Sequence, residues 1–463
     1  MKALKVILIV VAVLVVLLIV LVGVGIHLTD RYLSSPAFKD QVLKAAHDEL
    51  GVDVRIDEMH ASLLSGVSLR GVTIGNPPGF TNSSDMVTAD AFVLRYRLLP
   101  LLSRRVEIEQ LSLDKPVITL AQNPGGEWNY NAVGKTGGET NALPPPATPS
   151  APAKTEHPTA AKSGAPSSLD VVLSKLAITD GALSMISEKN QPVVKLDGIN
   201  FSSSVRLTDN KISGSGKAGI DKIDLSNKLI VEKAGTSVAL SPDVVKLSPL
   251  EGQLADGTIS GDVTVNYGTG MEYIVNAQLK DSDMTKLLQQ AGAKQALSGK
   301  LNVSTFLEGT GGVPTMVGTG RVEIVDGKLM EIPALNLLAT VLQVDALRDL
   351  NFTQILLEFS ISNNVMQTPV IRLVAPKVQI TGRGYVTLDN YTLNHNMTIT
   401  FAKGALALAP EISALFTDNP DGTQSLDFKV TGPYTSPKTD LLKRIGQGVG
   451  RQLLRKGLEL LPR

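Results

Sequence analysis

Ile259-Ser260-Gly261-Asp262-Val263-Thr264-Val265 alternates aliphatic or glycine positions with polar ones. The same signature returns in Leu297-Ser298-Gly299-Lys300-Leu301-Asn302-Val303 and in Val378-Gln379-Ile380-Thr381-Gly382-Arg383-Gly384-Tyr385-Val386-Thr387-Leu388. Period-two alternation reads as strands with one apolar and one polar face. Glycine inside a strand marks a bulge, a bend or a close backbone approach, each of which curls a sheet. Several such strands in succession, with aromatic residues at only 4% of the chain, predict an elongated, curved antiparallel sheet in preference to an ordinary β-sandwich.

The alternation extends toward the N-terminus through Val52, Val54 and Ile56, then Val67 and Leu69, Val72 and Ile74, Val106 and Ile108, and Leu111 and Leu113. Asn76-Pro77-Pro78-Gly79 separates two of these strands, because proline removes a ladder donor and glycine accepts a positive φ. Leu98-Leu99-Pro100-Leu101-Leu102 is broken by its proline and reads as a buried connection. Ser35, Pro36 and Gly51 bracket a helix with Phe38, Val42, Ala46 and Leu50 on one face. That face suits packing on the next strands or, alternatively, lying on a membrane surface. Two more helices are expected over Ser282 to Ala296 and Pro333 to Leu350, covering an end or edge of the sheet. Leu441, Leu442, Ile445, Val449, Leu453, Leu454 and Leu458 oppose Lys443, Arg444, Arg451, Arg455 and Lys456, a basic amphipathic pattern that fits a lipid surface or a sheet cap equally.

Val6 to Ile26 is apolar without interruption, long enough as a helix to cross the roughly 30 Å hydrocarbon core of a bilayer. Lys2 and Lys5 precede it and hold the short N-terminus in the cytoplasm. A cleaved signal peptide is the rival, but its apolar region is typically only about 7–15 residues. Residues 134–168 are rich in proline, alanine and serine and lack the side chains to offset their ordering entropy. The expected organisation is a transmembrane anchor (1–28), a helix-plus-strand region (29–133), a linker (134–168), a β-groove region (169–437) and a C-terminal helix (438–463).

Chemistry is sparse. Lysine and arginine total 44 against 44 acidic residues, which argues against a nucleic-acid binder, and the chain has no cysteine, which removes disulfides and thiolate metal sites. The five histidines are scattered at 27, 47, 60, 157 and 395. Gly214-Ser215-Gly216-Lys217 lacks the first glycine and the final hydroxyl of a phosphate loop. Gly446-Gln447-Gly448-Val449-Gly450 follows no strand, and the acidic residues around Asp421-Gly422 suit a hairpin better than a calcium loop. No catalytic group, metal site or cofactor is expected, and the protein reads as a non-enzyme.

The apolar N-terminus, the helix-then-strand unit from Phe38 to Ile56, Gly75-Asn76-Pro77-Pro78-Gly79-Phe80, Pro100-Leu101-Leu102 with Val106-Glu107-Ile108, and Gly125-Gly126-Glu127-Trp128-Asn129 together resemble the N-terminal part of the bacterial AsmA family. A second likeness to that family runs over residues 280 to 445, carried by Gly318-Thr319-Gly320-Arg321-Val322-Glu323-Ile324 and Val430-Thr431-Gly432-Pro433 among others. The resemblance implies a Gram-negative inner-membrane protein whose bulk is periplasmic, with an open β-groove of the chorein type. It also implies a role in outer-membrane lipid homeostasis, and carries no catalytic residue.

Read this way, the apolar strand faces shield phospholipid tails. The candidate lining residues are Val263, Val265, Leu301, Val303, Val322, Ile324, Val386, Leu388, Ile399 and Phe401, each of which equally suits plain core packing. Val265→Asp and Ile324→Glu are then expected to block lipid loading without unfolding the chain. The expected partners are membrane phospholipid and, through residues 6–26, the inner membrane, with outer-membrane or periplasmic envelope proteins as further candidates. The competing reading is a tethered module that offers a sheet edge to proteins assembling in the outer membrane.

Overall fold

The computed structural model describes residues 35–62, 66–80, 85–97, 100, 105–134, 170–209, 211–268, 270–330, 339, 347–406 and 416–440. The apolar run Val6 to Ile26, the linker from 135 onward, Leu98-Leu99 and Leu101-Leu102, and the basic C-terminal pattern from 441 lie outside them. Among the described residues no helix is long and apolar enough to cross a membrane. The chain is mainly β and divides into two compact units, one of residues 1–194 and 199–214, the other of residues 195–198 and 215–463.

The first unit opens with helix α1 (Pro36–Leu50). Ser35 Oγ accepts from Phe38 N at 3.3 Å, Pro36 fills the first turn where no N–H is needed, and Gly51 ends the helix at φ 65°. Its stripe Phe38, Val42, Ala46 and Leu50 is buried, so of the two placements open to it the helix takes packing. The stripe packs with alternate residues of β1 (Val54–Ser62), β2 (Gly66–Ile74) and β3 (Val87–Arg97), including Ile56, Leu69 and Phe92.

β1, β2 and β3 pair antiparallel, and β4 (Arg105–Asp114) continues the series. β5 (Val117–Ala121) pairs antiparallel with β3. Helix α2 (Asn129–Ala132) follows, and then β6 (Asp170–Ile186), which lies parallel to both β4 and β5. A wholly antiparallel sheet was the expectation, and this joint departs from it. Parallel neighbours require a long crossover, and the chain between Ala121 and Asp170 supplies the length. The strand that follows the proline-rich stretch thus joins the first unit.

Two motifs distant in sequence meet here. Asn129 is fully buried, and its Nδ2 donates to Asn76 Oδ1 at 2.8 Å and to the Thr119 carbonyl at 2.9 Å. One amide therefore ties Asn76-Pro77-Pro78-Gly79 to Gly125-Gly126-Glu127-Trp128-Asn129. Asn129→Leu leaves the Thr119 carbonyl and the Asn76 oxygen without this donor, and should destabilise the unit by about 1–3 kcal/mol, read as a lower urea midpoint in the fluorescence of Trp128.

β7 (Pro192–Thr208) and β8 (Lys211–Leu225) contain the division between the units. Gly214-Ser215-Gly216-Lys217 lies inside β8 and forms no loop. The second unit continues with β9 (Leu229–Leu240), β10 (Val244–Leu254), β11 (Gly257–Asn266), β12 (Glu272–Asp283), helix α3 (Met284–Gln290), β13 (Lys300–Thr310), β14 (Val317–Met330), β15 (Asp349–Ser362), β16 (Val365–Val374), β17 (Val378–Thr387), β18 (Thr392–Phe401), the short β19 (Thr417–Asp418), β20 (Gln424–Pro433) and the short β21 (Lys438–Thr439). From β9 to β18 each strand pairs antiparallel with the next, and β20 pairs with β18. Asn363 and Asn364 both adopt positive φ between β15 and β16, as a two-residue hairpin with the sheet's own twist requires. Thr417 and Asp418 pair with Ser425 and Gln424, so the acidic stretch around Asp421-Gly422 is a hairpin.

The first expected helix of this region is shorter than its reading from sequence, and the second is described only at its end. Ser282 stays in β12, buried, with its Oγ donating to the Leu254 carbonyl at 2.8 Å. Asp283 caps α3 instead, accepting from the Thr285 and Lys286 amides at 3.0 and 3.1 Å, and the helix ends at Gln290, before Gly292 at φ 64°. Most of Pro333 to Leu350 lies outside the described residues, but Leu350 already belongs to β15.

Candidate functional site: an apolar sheet face

Residues paired across an antiparallel ladder point to the same face. One row of the second unit runs Leu301, Ile324, Ile355, Leu373, Ile380, Ile399, Leu426 from β13 to β20. A second runs Val263, Val275, Leu307, Gly318, Ile361, Met366, Val386, Leu393 from β11 to β18. Neither row is charged, nor are the positions between them on this face. Nine of the ten candidate residues from the sequence lie on this face, with Val378 pairing Phe401 and Val245 pairing Val265 at its margins, and the tenth, Leu388, follows the end of β17 in a turn.

The face has two environments. Leu301, Ile324, Ile399 and Phe401 belong to a closed cluster with Leu347, Leu350, Phe352, Val378, Phe416 and Leu426, and Phe401 is 0% exposed. Phe401 and Phe416 meet edge to face, centroids 5.9 Å apart. Met284 and Leu287 of α3 pack against the same cluster. Val303 and Val322 border it, partly buried. Farther along the strands, Val263, Val265 and Leu388 are half-buried and belong to no cluster, and Val386 is buried outside the closed cluster.

Val245, Leu247, Val275 and Leu307 share the half-buried tract and are absent from the candidate set. Their signal was present in the alternation Tyr273-Val275-Ala277-Leu279 of β12, which places them opposite Val265, Val263, Gly261 and Ile259. Between the two rows the side chains become small. Gly261, Ala277, Thr305 and Gly320 align across four strands. At Gly320 the ring of Phe359 lies where a side chain would stand, 2.2 Å from an ideal Cβ, a close approach of the kind that glycine in a strand signals.

The opposite face carries the charged side chains, interspersed with the exposed Ile274, Phe306 and Val317 and the buried Leu356. Arg321 pairs with Glu358 at 3.1 Å and with Glu323 at 3.2 Å, Gln354 donates to Glu323, and Arg372 donates to Gln354 at 3.1 Å. Such solvated pairs contribute little to stability; their effect is to fix which face water wets. A concavity of about 680 Å³ lies among residues of this polar network, lined by Ser260, Asp262, Gln278, Ser304, Arg321 and Glu358 among others. Among the described residues no group of three or more histidines and acids is placed to hold a metal ion.

The apolar face carries one histidine among the described residues. Thr368 Oγ1 and His395 Nε2 are hydrogen-bonded at 2.8 Å, 1% and 7% exposed. Burial holds the His395 pKa below its ordinary value of 6.5. The folded chain therefore resists protonation that the unfolded chain accepts, so stability is full above about pH 6.5 and falls as the pH drops through and below it. Urea midpoints should decrease from pH 7.5 to pH 5, and His395→Gln should lose part of that decrease.

No curated protein and no solved structure matches the chain. The family model of the AsmA family matches residues 1–219, just under half of the length, and stops short of the second likeness over 280–445. That match covers α1, the strands β1 to β7 and the Asn76 to Asn129 tie that joins them, so this part of the chain is similar to the AsmA family.

Proposed function

We propose that this protein shields phospholipid tails in the bacterial envelope, anchored in the inner membrane by residues 6–26, with no catalytic step. The observation that carries the reading is the uncharged face of the second unit, on which Val263, Val265, Val275 and Leu307 are half-buried instead of sealed. Val263, Val265, Val275 and Leu307 belong to none of the buried clusters. A hydrocarbon tail on the tract would remove both partners' apolar surface from water, at about 0.8 kcal/mol per buried methylene. The closed cluster gives the sheet its stability and the half-buried tract gives it capacity. The match to the AsmA family over residues 1–219 supports an envelope setting for this activity.

The test is direct. The chain, purified and washed free of bulk lipid, is extracted with organic solvent and the extract analysed by mass spectrometry. Stoichiometric phospholipid is the expected result. A lipid-free extract from a folded chain that instead captures unfolded outer-membrane proteins would favour the assembly module.

A further inference from the structure

We propose that a bound phospholipid lies along the strands of the second unit, head group at a tyrosine-lined rim and tails directed toward the closed cluster. This rests on the tail-shielding reading and adds to it the polarity of the bound molecule. Successive antiparallel turns fall at alternate ends of the strands, and the two ends differ in chemistry.

At one end lie the turn residues 241–243, 267–268, 270–271, 311–316, 363–364, 388–391 and 434–437. They contain two acidic residues, Asp243 and Asp389, and no lysine or arginine. Large side chains stand exposed there: Tyr267 37%, Val313 47%, Tyr391 52% and Tyr434 62%. Tyr391 and Tyr434 meet edge to face at 5.8 Å, and the Tyr434 amide donates to the Tyr391 carbonyl at 3.1 Å. Tyrosine joins an apolar body to a hydroxyl and suits a boundary between hydrocarbon and water.

At the other end the closed cluster seals the apolar face, and the charges gather around it in pairs: Lys286 with Asp256, Lys300 with Asp283 at 3.7 Å, Lys328 with Asp349 at 3.2 Å. A head group has no place in that cluster, whereas tails meet no charge on the way to it. The open tract from Val303 to Gly309 spans roughly 20 Å at about 3.3 Å per residue. Half of a bilayer's roughly 30 Å hydrocarbon core is about 15 Å, so one lipid's tails fit the tract. With no lysine or arginine in its turns, the rim should discriminate little between zwitterionic and anionic head groups.

The absence of cysteine allows single-site labelling. The full-length chain carrying Tyr434→Cys at the rim, or Lys377→Cys in the turn at the opposite end, is labelled with a fluorophore. It is then loaded with phosphatidylcholine bearing a nitroxide either on the head group or at the tail terminus. The head-group nitroxide should quench the probe at 434 several-fold more than the probe at 377, and the tail-terminal nitroxide should reverse that order. Equal quenching at both sites, or the opposite order, overturns the proposed orientation and leaves tail shielding standing. Failure of the folded chain to retain either lipid overturns tail shielding, and the orientation with it. Both positions are exposed, and Tyr391→Cys with Lys403→Cys provides a second pair.

Discussion

Val265→Asp is expected to reduce phospholipid retention by about 100-fold or more while the chain stays folded. Val265 sits on the apolar face between Val245 and Tyr273 in register, half-buried and outside the closed cluster. Without lipid a carboxylate there keeps its water, so the cost to folding should stay below about 1 kcal/mol. Under a tail the same carboxylate loses that water with no cation on its face to compensate, which costs several kcal/mol; each ~1.4 kcal/mol is a tenfold loss in affinity. Retained radiolabelled phospholipid per chain is the readout. Thr264→Asp, one residue away on the opposite face, should retain lipid as the parent chain does.

Ile324→Glu should act differently. From sequence it is equivalent to Val265→Asp, but Ile324 is 6% exposed inside the closed cluster, paired with Leu301 and Ile355. A glutamate there leaves a charge in a dry interior and removes the aliphatic packing, at a cost on the order of 4 kcal/mol, a large share of a domain's typical stability of about 5–15 kcal/mol. Hydrogen exchange should show lost amide protection across β13, β14 and β15, together with lost lipid retention. Retention lost with protection intact would move Ile324 into the lipid-contacting tract.

The contrast between these substitutions marks what the sequence discloses. Parity is local, so the alternation in β11, β13, β14, β17 and β18 was enough to place nine of the ten candidates on one face, Leu388 lying in the turn after β17. Closure is not local. Leu301 and Val263 look alike in their own strands, and what separates them is Leu347, Phe352 and Phe416 arriving from distant segments to seal one end. Helix α1 was legible because its cap, its proline, its stripe and its stop all lie within one continuous stretch, Ser35 to Gly51. The parallel joint of β6 was not, because the long proline-rich stretch before it leaves the direction of return open. At α3 two neighbouring residues, Ser282 and Asp283, compete for the cap, and the buried hydrogen bond to Leu254 takes the serine away.

The central claim is that one parity of these strands meets lipid and the other meets water. A photo-crosslinking side chain placed in turn at 263, 264 and 265 of the full-length chain, irradiated in cells, tests it most directly. Phospholipid adducts at 263 and 265 with none at 264 are the predicted result. Adducts at all three positions, or protein adducts alone at 263 and 265, would contradict it.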